Sequence, residues 1–257
     1  MIAAVLSWAG AAAIGVSLGL FGSGGSILTV PVLIYLFGQD EKVAIAGSLA
    51  IVGSVALVGA LPYLRARLID WRNVLLFGVP GMAGTYLGAW IAQFVPGIVQ
   101  LALFAVVMLI AAYMMLRPPN VANPPRGRAV WKISLDGLLV GILTGLVGVG
   151  GGFLIIPALV LLGGMTMRRA VATSLVIIAL KSFSGFYKYL DVLATQNLNL
   201  DWDVIGLVTA LGVVGSFAGN HLGTRVPQAA LQRGFAYFLI IMGLYILARS
   251  LPTAIGF

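Results

Sequence analysis

The chain has 257 residues, of which 61% are hydrophobic and only 9% are charged, and its formal net charge is +8. Typical globular proteins carry roughly 25% charged residues, so this chain has too few polar side chains to cover a soluble domain of its size. The composition excludes a soluble enzyme, a disordered chain and a nucleic-acid-binding protein, and it indicates a protein embedded in a lipid bilayer.

Charge-free stretches predict the transmembrane helices in chain order, because a helix needs about 20 apolar residues to cross the hydrocarbon core. In the first half these stretches cover residues 2–39, 43–64 and 73–116. Glycines interrupt the first stretch, and Pro96-Gly97 divides the last one into two spans. We therefore predict a first transmembrane repeat at residues 1–116.

A basic, proline-rich segment follows at residues 117–132, and we predict that it is a cytoplasmic linker. A shift of 126 positions then superposes Gly15–Leu49 on Gly141–Leu175 with 15 identities in 35 positions. Compositional bias alone would not keep one register this long, so residues 133–257 are predicted to form a second transmembrane repeat. The predicted fold is an all-α integral membrane protein whose two repeats each contain a glycine-broken helix followed by three transmembrane helices.

The glycine-broken stretches decide how the two repeats are oriented. The second arm of the first stretch, Ser26–Phe37, would be about 18 Å long as a helix, which is too short to span the membrane. If both arms return to the same side, the repeats are inverted, and eleven basic residues lie inside against two outside. A single crossing of each stretch gives eight against five. The positive-inside rule therefore favours inverted repeats, an architecture typical of secondary transporters.

The two glycine clusters, at residues 22–26 and 148–152, lie between helical arms. Glycines let the backbone approach a ligand closely, and the amides freed at the start of the second arm carry partial positive charge. Unpaired amides in lipid cost several kcal/mol each, so this backbone must line a polar cavity or be buried in protein. The clusters therefore predict an anion-binding site near the membrane midplane. Tight helix packing without a ligand is the alternative.

Lys181 is the charge that lies deepest inside a predicted span, with Ser182 and Ser184 beside it. A buried ammonium is costly in a membrane, so it is expected to face a cavity or a partner. No carboxylate lies one turn away, which leaves an anionic substrate as the partner; snorkelling or pairing with Asp136 is the alternative. The equivalent position in the first repeat is Val55, so the predicted site is asymmetric.

Other patterns predict structural roles. Lys188 lies near a span end and is expected to snorkel, and His221 is expected at an interface rather than in a proton relay. Trp71 and Trp202 each follow an aspartate and are expected to anchor span ends at the interface. Glycines at four-residue spacing predict helix-packing seams: Gly84, Gly88, Gly215, Gly219 and Gly223.

The paired pattern G-x-x-x-G-L-x-G-x-G-G-x-x-x-x-x-P, followed by A-x-A-x-S-L, resembles the TauE/SafE family of membrane anion transporters. In the second copy, residues 172–175 match the family's A-T-S-L, whereas the first copy departs from the pattern at Ser23, Ser26 and Gly47. The resemblance implies an exporter or permease of sulfite, sulfoacetate or another sulfur-containing or organic anion. The departures leave the exact anion open.

We therefore predict a secondary transporter that moves such an anion by alternating access, with export as the direction implied by the resemblance. The predicted substrate-binding residues supply backbone donors, hydroxyls and one charge: Gly22, Ser23, Gly24, Gly25, Ser26, Ser48, Gly148, Gly150, Gly151, Gly152, Thr173, Ser174 and Lys181. The alternatives are an anion channel, a permease for uptake of an unrelated small organic anion, a membrane-embedded enzyme and a non-transporting scaffold.

The expected partners are a small anionic substrate and the lipid bilayer, and no nucleic acid is expected. The sequence leaves open whether two copies of the chain form a homodimer. The chain has no cysteine, one histidine and seven scattered carboxylates, so no catalytic residue, metal or cofactor is expected. The expected location is a plasma membrane crossed several times, such as the inner membrane of a bacterium.

Overall fold

The computed structural model describes residues 2–21, 25–117, 130–157, 159, 165–223 and 228–255. In these ranges the regular elements are helices. The first half contains α1 (Ile2–Phe21), α2 (Gly25–Tyr35), α3 (Glu41–Arg65), α4 (Trp71–Asn73), α5 (Val79–Ala92) and α6 (Gly97–Leu116). A π-helical turn at Val74–Gly78 joins α4 to α5. The second half contains α7 (Val130–Val147), α8 (Gly152–Pro157), α9 (Met167–Thr195), α10 (Trp202–Gly223) and α11 (Gln228–Ile255).

Six helical stretches in the described ranges are long and apolar enough to cross a membrane: residues 41–65, 71–92, 97–114, 130–147, 168–195 and 202–219. The prediction of an all-helical membrane protein is therefore confirmed. Residues 118–129 of the predicted linker lie outside the described residues. α7 begins at Val130, inside that segment, and its exposed Trp131 and Lys132 are side chains that suit a membrane interface.

The first two helices, α1 and α2, form an antiparallel hairpin. A Cβ built on Gly10 of α1 would lie 2.7 Å from the Leu36 side chain, just beyond the end of α2. A Cβ built on Gly25, the first residue of α2, would instead lie 2.2 Å from the carbonyl oxygen of Ile14. The chain therefore folds back on itself after α1, as expected for an interrupted stretch whose two arms return to one side.

Glycine seams join one helix of each half, α1 against α10 and α5 against α7. A Cβ on Gly15 would lie 2.2 Å from the carbonyl oxygen of Gly212, and a Cβ on Gly141 would lie 2.4 Å from that of Gly81. The two backbones are too close for any side chain larger than hydrogen, which is the packing that small residues permit between membrane helices. The predicted seam role is confirmed for three residues: Gly84, Gly88 and Gly215.

Equivalent residues of the two halves make equivalent contacts with the opposite half. The Gly15–Gly212 contact of the first seam corresponds to the Gly141–Gly81 contact of the second, at sequence shifts of 126 and 131. The central pair α3 and α9 behaves in the same way. A Cβ on Gly59 would lie 4.0 Å from Leu175, and a Cβ on its equivalent Gly185 would lie 3.3 Å from Leu49.

The direction of the central pair follows from these contacts. Leu49 and Gly59 of α3 meet Gly185 and Leu175 of α9, so residue numbers rise along one helix as they fall along the other. The two helices are therefore antiparallel, and they lie at the centre of the contact pattern, flanked by the two glycine seams.

The Asp-Trp pairs mark equivalent helix starts. The side chains of Asp70 and Asp201 each accept a hydrogen bond from the backbone amide three residues later, at 3.1 and 3.0 Å. This capping satisfies an amide that has no partner inside its own helix. Trp71 and Trp202 are 55% and 61% exposed, and their role as interface anchors stays a prediction.

Candidate functional site

The glycine cluster of the second half separates α7 from α8, and we call residues 148–151 the second break. Gly148 and Gly151 have φ values of +74° and +73°, a backbone conformation that favours glycine. A Cβ on Gly148 would lie 2.1 Å from Ile45, and a Cβ on Gly151 would lie 2.4 Å from Thr144. Both conformation and space therefore require glycine at these two positions.

Hydrogen bonds fasten the second break to both halves of the protein. The amides of Gly148 and Val149 donate to the carbonyl oxygen of Thr144 at 2.9 and 3.1 Å, which ends α7. On the other side, the Ser48 hydroxyl of α3 donates to the carbonyl oxygen of Gly148, and it also lies 2.7 Å from that of Ile45. Gly148 therefore has both backbone groups bonded within the protein, and Ser48 holds the break rather than standing free beside it.

Two buried polar groups of α9 lie against the second break without hydrogen-bond partners. Lys181 and Ser182 are both 0% exposed, and in the described part of the chain neither Nζ nor Oγ has a hydrogen-bond partner. A Cβ on Gly151 would lie 3.3 Å from Lys181 Nζ, and a Cβ on Gly150 would lie 3.0 Å from Ser182 Oγ. An ammonium and a hydroxyl thus point at consecutive glycines of the break.

The surroundings of Lys181 are apolar or aromatic rather than acidic. Its Cδ packs on Gly81 of α5, where a Cβ would lie 2.9 Å away, and its Nζ lies 5.9 Å from the centre of the Phe77 ring. All seven carboxylates of the chain lie in the described ranges, and none forms a hydrogen bond or ion pair with Lys181. The alternatives of snorkelling and of pairing with Asp136 are therefore wrong.

Two further polar side chains form hydrogen bonds at the end of α7. Gln100 of α6 donates from Nε2 to the carbonyl oxygen of Leu146 at 2.8 Å, and the Tyr189 hydroxyl of α9 donates to the same oxygen at 3.3 Å. Carbonyls in the last turn of a helix lack partners inside that helix, so these side chains satisfy one of them next to the break. Nothing in the sequence pattern distinguishes these residues except that each places a polar group inside an apolar span.

The remaining predicted hydroxyls lie elsewhere on α9. Thr173 Oγ1 accepts a hydrogen bond from the amide of Asp70 at 3.0 Å, and Ser174 donates to the carbonyl oxygen of Val171 at 2.9 Å. Thr173 precedes Lys181 by eight residues, or about 12 Å of helix. The structure therefore brings together Lys181, Ser48 and the second break, and it places Thr173 about two turns away, at the turn before α4.

The first glycine cluster is described only in part. Gly22, Ser23 and Gly24 were predicted to bind substrate and lie outside the described residues. Gly25 and Ser26 are buried at the start of α2, where a Cβ on Gly25 would meet Leu18 at 2.7 Å. Gly152, predicted with the second cluster, is buried as the first residue of α8.

Two polar residues beside the second break were missed as site residues. Ser182 follows Lys181 directly, and Thr144 lies in the last turn of α7, where its hydroxyl donates to the carbonyl oxygen of Gly141 at 3.1 Å. A comparison of the two repeats distinguishes both residues. Leu18 is the equivalent of Thr144, and Ala56 is the equivalent of Ser182. These two positions are apolar in the first half and polar in the second, so a difference between the repeats identifies them.

The Lys188 side chain behaves differently from Lys181, although both lie on α9. Lys188 Nζ forms an ion pair with Asp191 at 3.1 Å, and its side chain is 14% exposed. Lys42 likewise has partners, because its Nζ donates to the carbonyl oxygens of Ala92 and Val95 where α5 ends. The ammonium groups of Lys188 and Lys42 thus have protein partners, in contrast to the ammonium beside the second break.

Comparison with known proteins gives one consistent result. The family model described as Sulfite exporter TauE/SafE matches residues 7–246. A protein of Xylella fastidiosa strain Temecula1 with the name "Probable membrane transporter protein" is 30% identical over 253 residues, covering 95% of this chain and 94% of the relative. A protein of Methanocaldococcus jannaschii with a name of the same kind is 26% identical over 245 residues, covering 91% of each chain. A third relative, YunE of Bacillus subtilis, is 29% identical over 236 residues, covering 81% of this chain and 83% of its own. No solved structure gives a significant match.

Proposed function

The chain belongs to the TauE/SafE family of sulfite exporters, and we propose that it is a secondary transporter of a small anion. The substrate is a sulfur-containing oxyanion or an organic anion, such as sulfite or a sulfonate. Its relatives are named as membrane transporters, and its own helices are long enough for a protein that crosses the membrane several times. The proposed location is the plasma membrane of a bacterium, with export as the direction.

The observation that carries this proposal is the unpartnered ammonium of Lys181 beside the second break. A buried charge is costly inside a membrane and is usually found where it faces a partner or a substrate pathway. Lys181 has no carboxylate partner, so an anion that enters the site supplies the missing countercharge.

Alternating access requires two arrangements of the halves around one site, and the helix pairing supports inverted repeats. The α1–α2 hairpin, the antiparallel α3 and α9, and the two equivalent seams fit halves of opposite orientation in the membrane. Inverted repeats with broken helices provide related inward-open and outward-open states by rocking. In this proposal the second break lies between the halves, because Ser48 of the first half bonds to Gly148 of the second.

Transport is tested with the purified chain in liposomes loaded with unlabelled anion. We expect saturable uptake of labelled sulfite or methanesulfonate that is accelerated by the same anion inside, since a carrier exchanges substrate across the membrane. Chloride inside serves as the control and should not accelerate uptake. Flux that never saturates and is independent of the internal anion would instead identify a channel. No flux above protein-free liposomes for any sulfur oxyanion or sulfonate would overturn the proposal.

The orientation of the halves has a separate test, because the chain contains no cysteine. Ala66 and Gln196 are exposed residues that end α3 and α9 in equivalent turns. For inverted repeats, Ala66→Cys and Gln196→Cys should react with an impermeant maleimide from opposite sides of intact cells or vesicles. Labelling of both from the same side would contradict the inverted arrangement.

A further inference from the structure

We propose that the transporter binds its substrate as a singly charged oxyanion, and that Lys181 and Ser182 hold this anion at the second break and not at an equivalent site in the first half. This inference rests on the proposed function, which supplies an anion, and it adds the charge of the substrate and the half that holds it. Lys181 Nζ lies against Gly151 and Ser182 Oγ lies against Gly150, and both atoms are buried without a hydrogen-bond partner among the described residues.

The groups around Lys181 add no second charge. α5 contributes Gly81, and the π-helical turn before it contributes the Phe77 ring. α7 contributes Thr144, whose hydroxyl donates to a backbone carbonyl. From α3, Val52 and Gly53 pack against the Gly150–Ser182 contact. The site therefore has one formal positive charge, two hydroxyl-bearing side chains and an apolar wall.

That charge sets which anions can enter. In an environment of low dielectric constant, opposite charges attract strongly, and an uncompensated charge is heavily penalised. A singly charged oxyanion cancels the charge of Lys181 and leaves a neutral pair, whose oxygens can accept from the ammonium and from Ser182. A doubly charged anion of the same size leaves one negative charge without compensation. The site should therefore prefer a sulfonate over sulfate.

The first half lacks the groups for a second site of this kind. The residues equivalent to Lys181 and Ser182 are Val55 and Ala56, both 0% exposed. Val55 packs on Gly212, with 2.9 Å between a Cβ there and the valine side chain, as Lys181 packs on Gly81 at the same distance. One chain should therefore bind one anion by this means.

Calorimetric titration of the purified full chain with methanesulfonate and with sulfate tests the inference. The two anions are similar in size and differ in charge. We expect one methanesulfonate per chain, bound at least about tenfold more tightly than sulfate. Lys181→Met should weaken methanesulfonate binding by about tenfold or more and remove the preference. Lys181→Gln, which keeps a hydrogen-bond donor without the charge, should also remove it. Val55→Met is the matched control and should keep wild-type affinity and preference.

Each contrary result has a separate meaning. Sulfate bound as tightly as methanesulfonate by the wild type would overturn the charge assignment and leave an anion transporter in place. Wild-type preference in both Lys181 variants, two anions per chain, or an equal loss in Val55→Met would overturn the location at the second break. Binding of neither anion, together with no anion flux in liposomes, would overturn the proposed function as well.

Discussion

The two glycine clusters occupy equivalent places in a repeated backbone, but the side chains beside them differ in polarity. A Cβ on Gly25 would meet Leu18, whereas a Cβ on its equivalent Gly151 would meet Thr144 and Lys181. Three equivalent pairs combine an apolar residue in the first half with a polar one in the second: Leu18 and Thr144, Val55 and Lys181, Ala56 and Ser182.

The duplicated backbone and the polarity of the side chains beside the glycine clusters are therefore separate properties. The seams and the antiparallel α3–α9 pair require glycines and apolar residues in both halves, because close packing is the same on either side. A binding site needs its polar groups only once. In the proposed mechanism, the first half moves against the second, and the second half holds the anion.

Introducing the charge of the second half into the first should have the largest effect. Val55→Lys would bury an ammonium against Gly212 with no substrate site beside it. We expect a loss of stability of about 3 kcal/mol or more, measured as a lower melting temperature in detergent and a lower yield of folded protein. Val55→Met is the size-matched control. A Val55→Lys protein as stable as the wild type would show that the first half also accommodates a charge.

The second-largest effect is expected from a substitution that strains the backbone of the second break. Gly148→Ala would force a left-handed backbone on alanine and place its Cβ 2.1 Å from Ile45. The conformation and the overlap together should cost about 2–3 kcal/mol of stability and reduce transport strongly. Gly206→Ala is the control, since a Cβ there meets nothing within 4 Å. An equal melting temperature for the two variants would contradict the requirement for glycine at the break.

Making the second half resemble the first should separate stability from function. Lys181→Val removes a buried charge without a partner, so the anion-free protein should melt at a higher temperature than the wild type. The same change should lower the apparent affinity in transport by about ten- to a hundredfold, the equivalent of about 1.5–3 kcal/mol for a hydrogen bond to a charged group. Melting curves with and without methanesulfonate, together with uptake, measure both effects. A variant that loses stability and keeps its affinity would assign Lys181 to packing.

The sequence is sufficient to predict an all-helical membrane protein, because that class depends on hydropathy and on the spacing of glycines. Long apolar stretches predict the spans, and the shift of 126 residues identifies the equivalent glycines without any structural contact. Helix boundaries depend on more than hydropathy. α7 begins at Val130 although Lys132 lies in its first turn, and a charge count alone does not separate such a helix start from a linker.

The site was predictable only in part, because sequence does not give positions along a helix relative to its neighbours. Lys181 stood out through its charge, and the structure places it beside the predicted glycines. Thr173 belongs to the A-T-S-L motif, yet it bonds to Asp70 because α9 runs antiparallel to α3 and carries that turn to the start of α4. The sequence does not separate Ser182 from Ser184. The structure does, because Ser182 contacts Gly150 whereas Ser184 donates to the carbonyl oxygen of Met82.

The smallest effect should come from the hydroxyl that separates Ser182 from its equivalent, Ala56. Ser182→Ala removes one neutral donor from a site that keeps its charge, so we expect methanesulfonate to bind about fivefold more weakly, the equivalent of about 1 kcal/mol. The preference for methanesulfonate over sulfate should remain, because Lys181 sets it. Ser184→Ala is the matched control, since that hydroxyl donates to the carbonyl oxygen of Met82 at 2.9 Å and is expected to affect stability rather than affinity. Equal affinities for the Ser182→Ala protein and the wild type would reduce the site to a single charge, whereas loss of the charge preference would mean that the hydroxyl and the ammonium act as one unit.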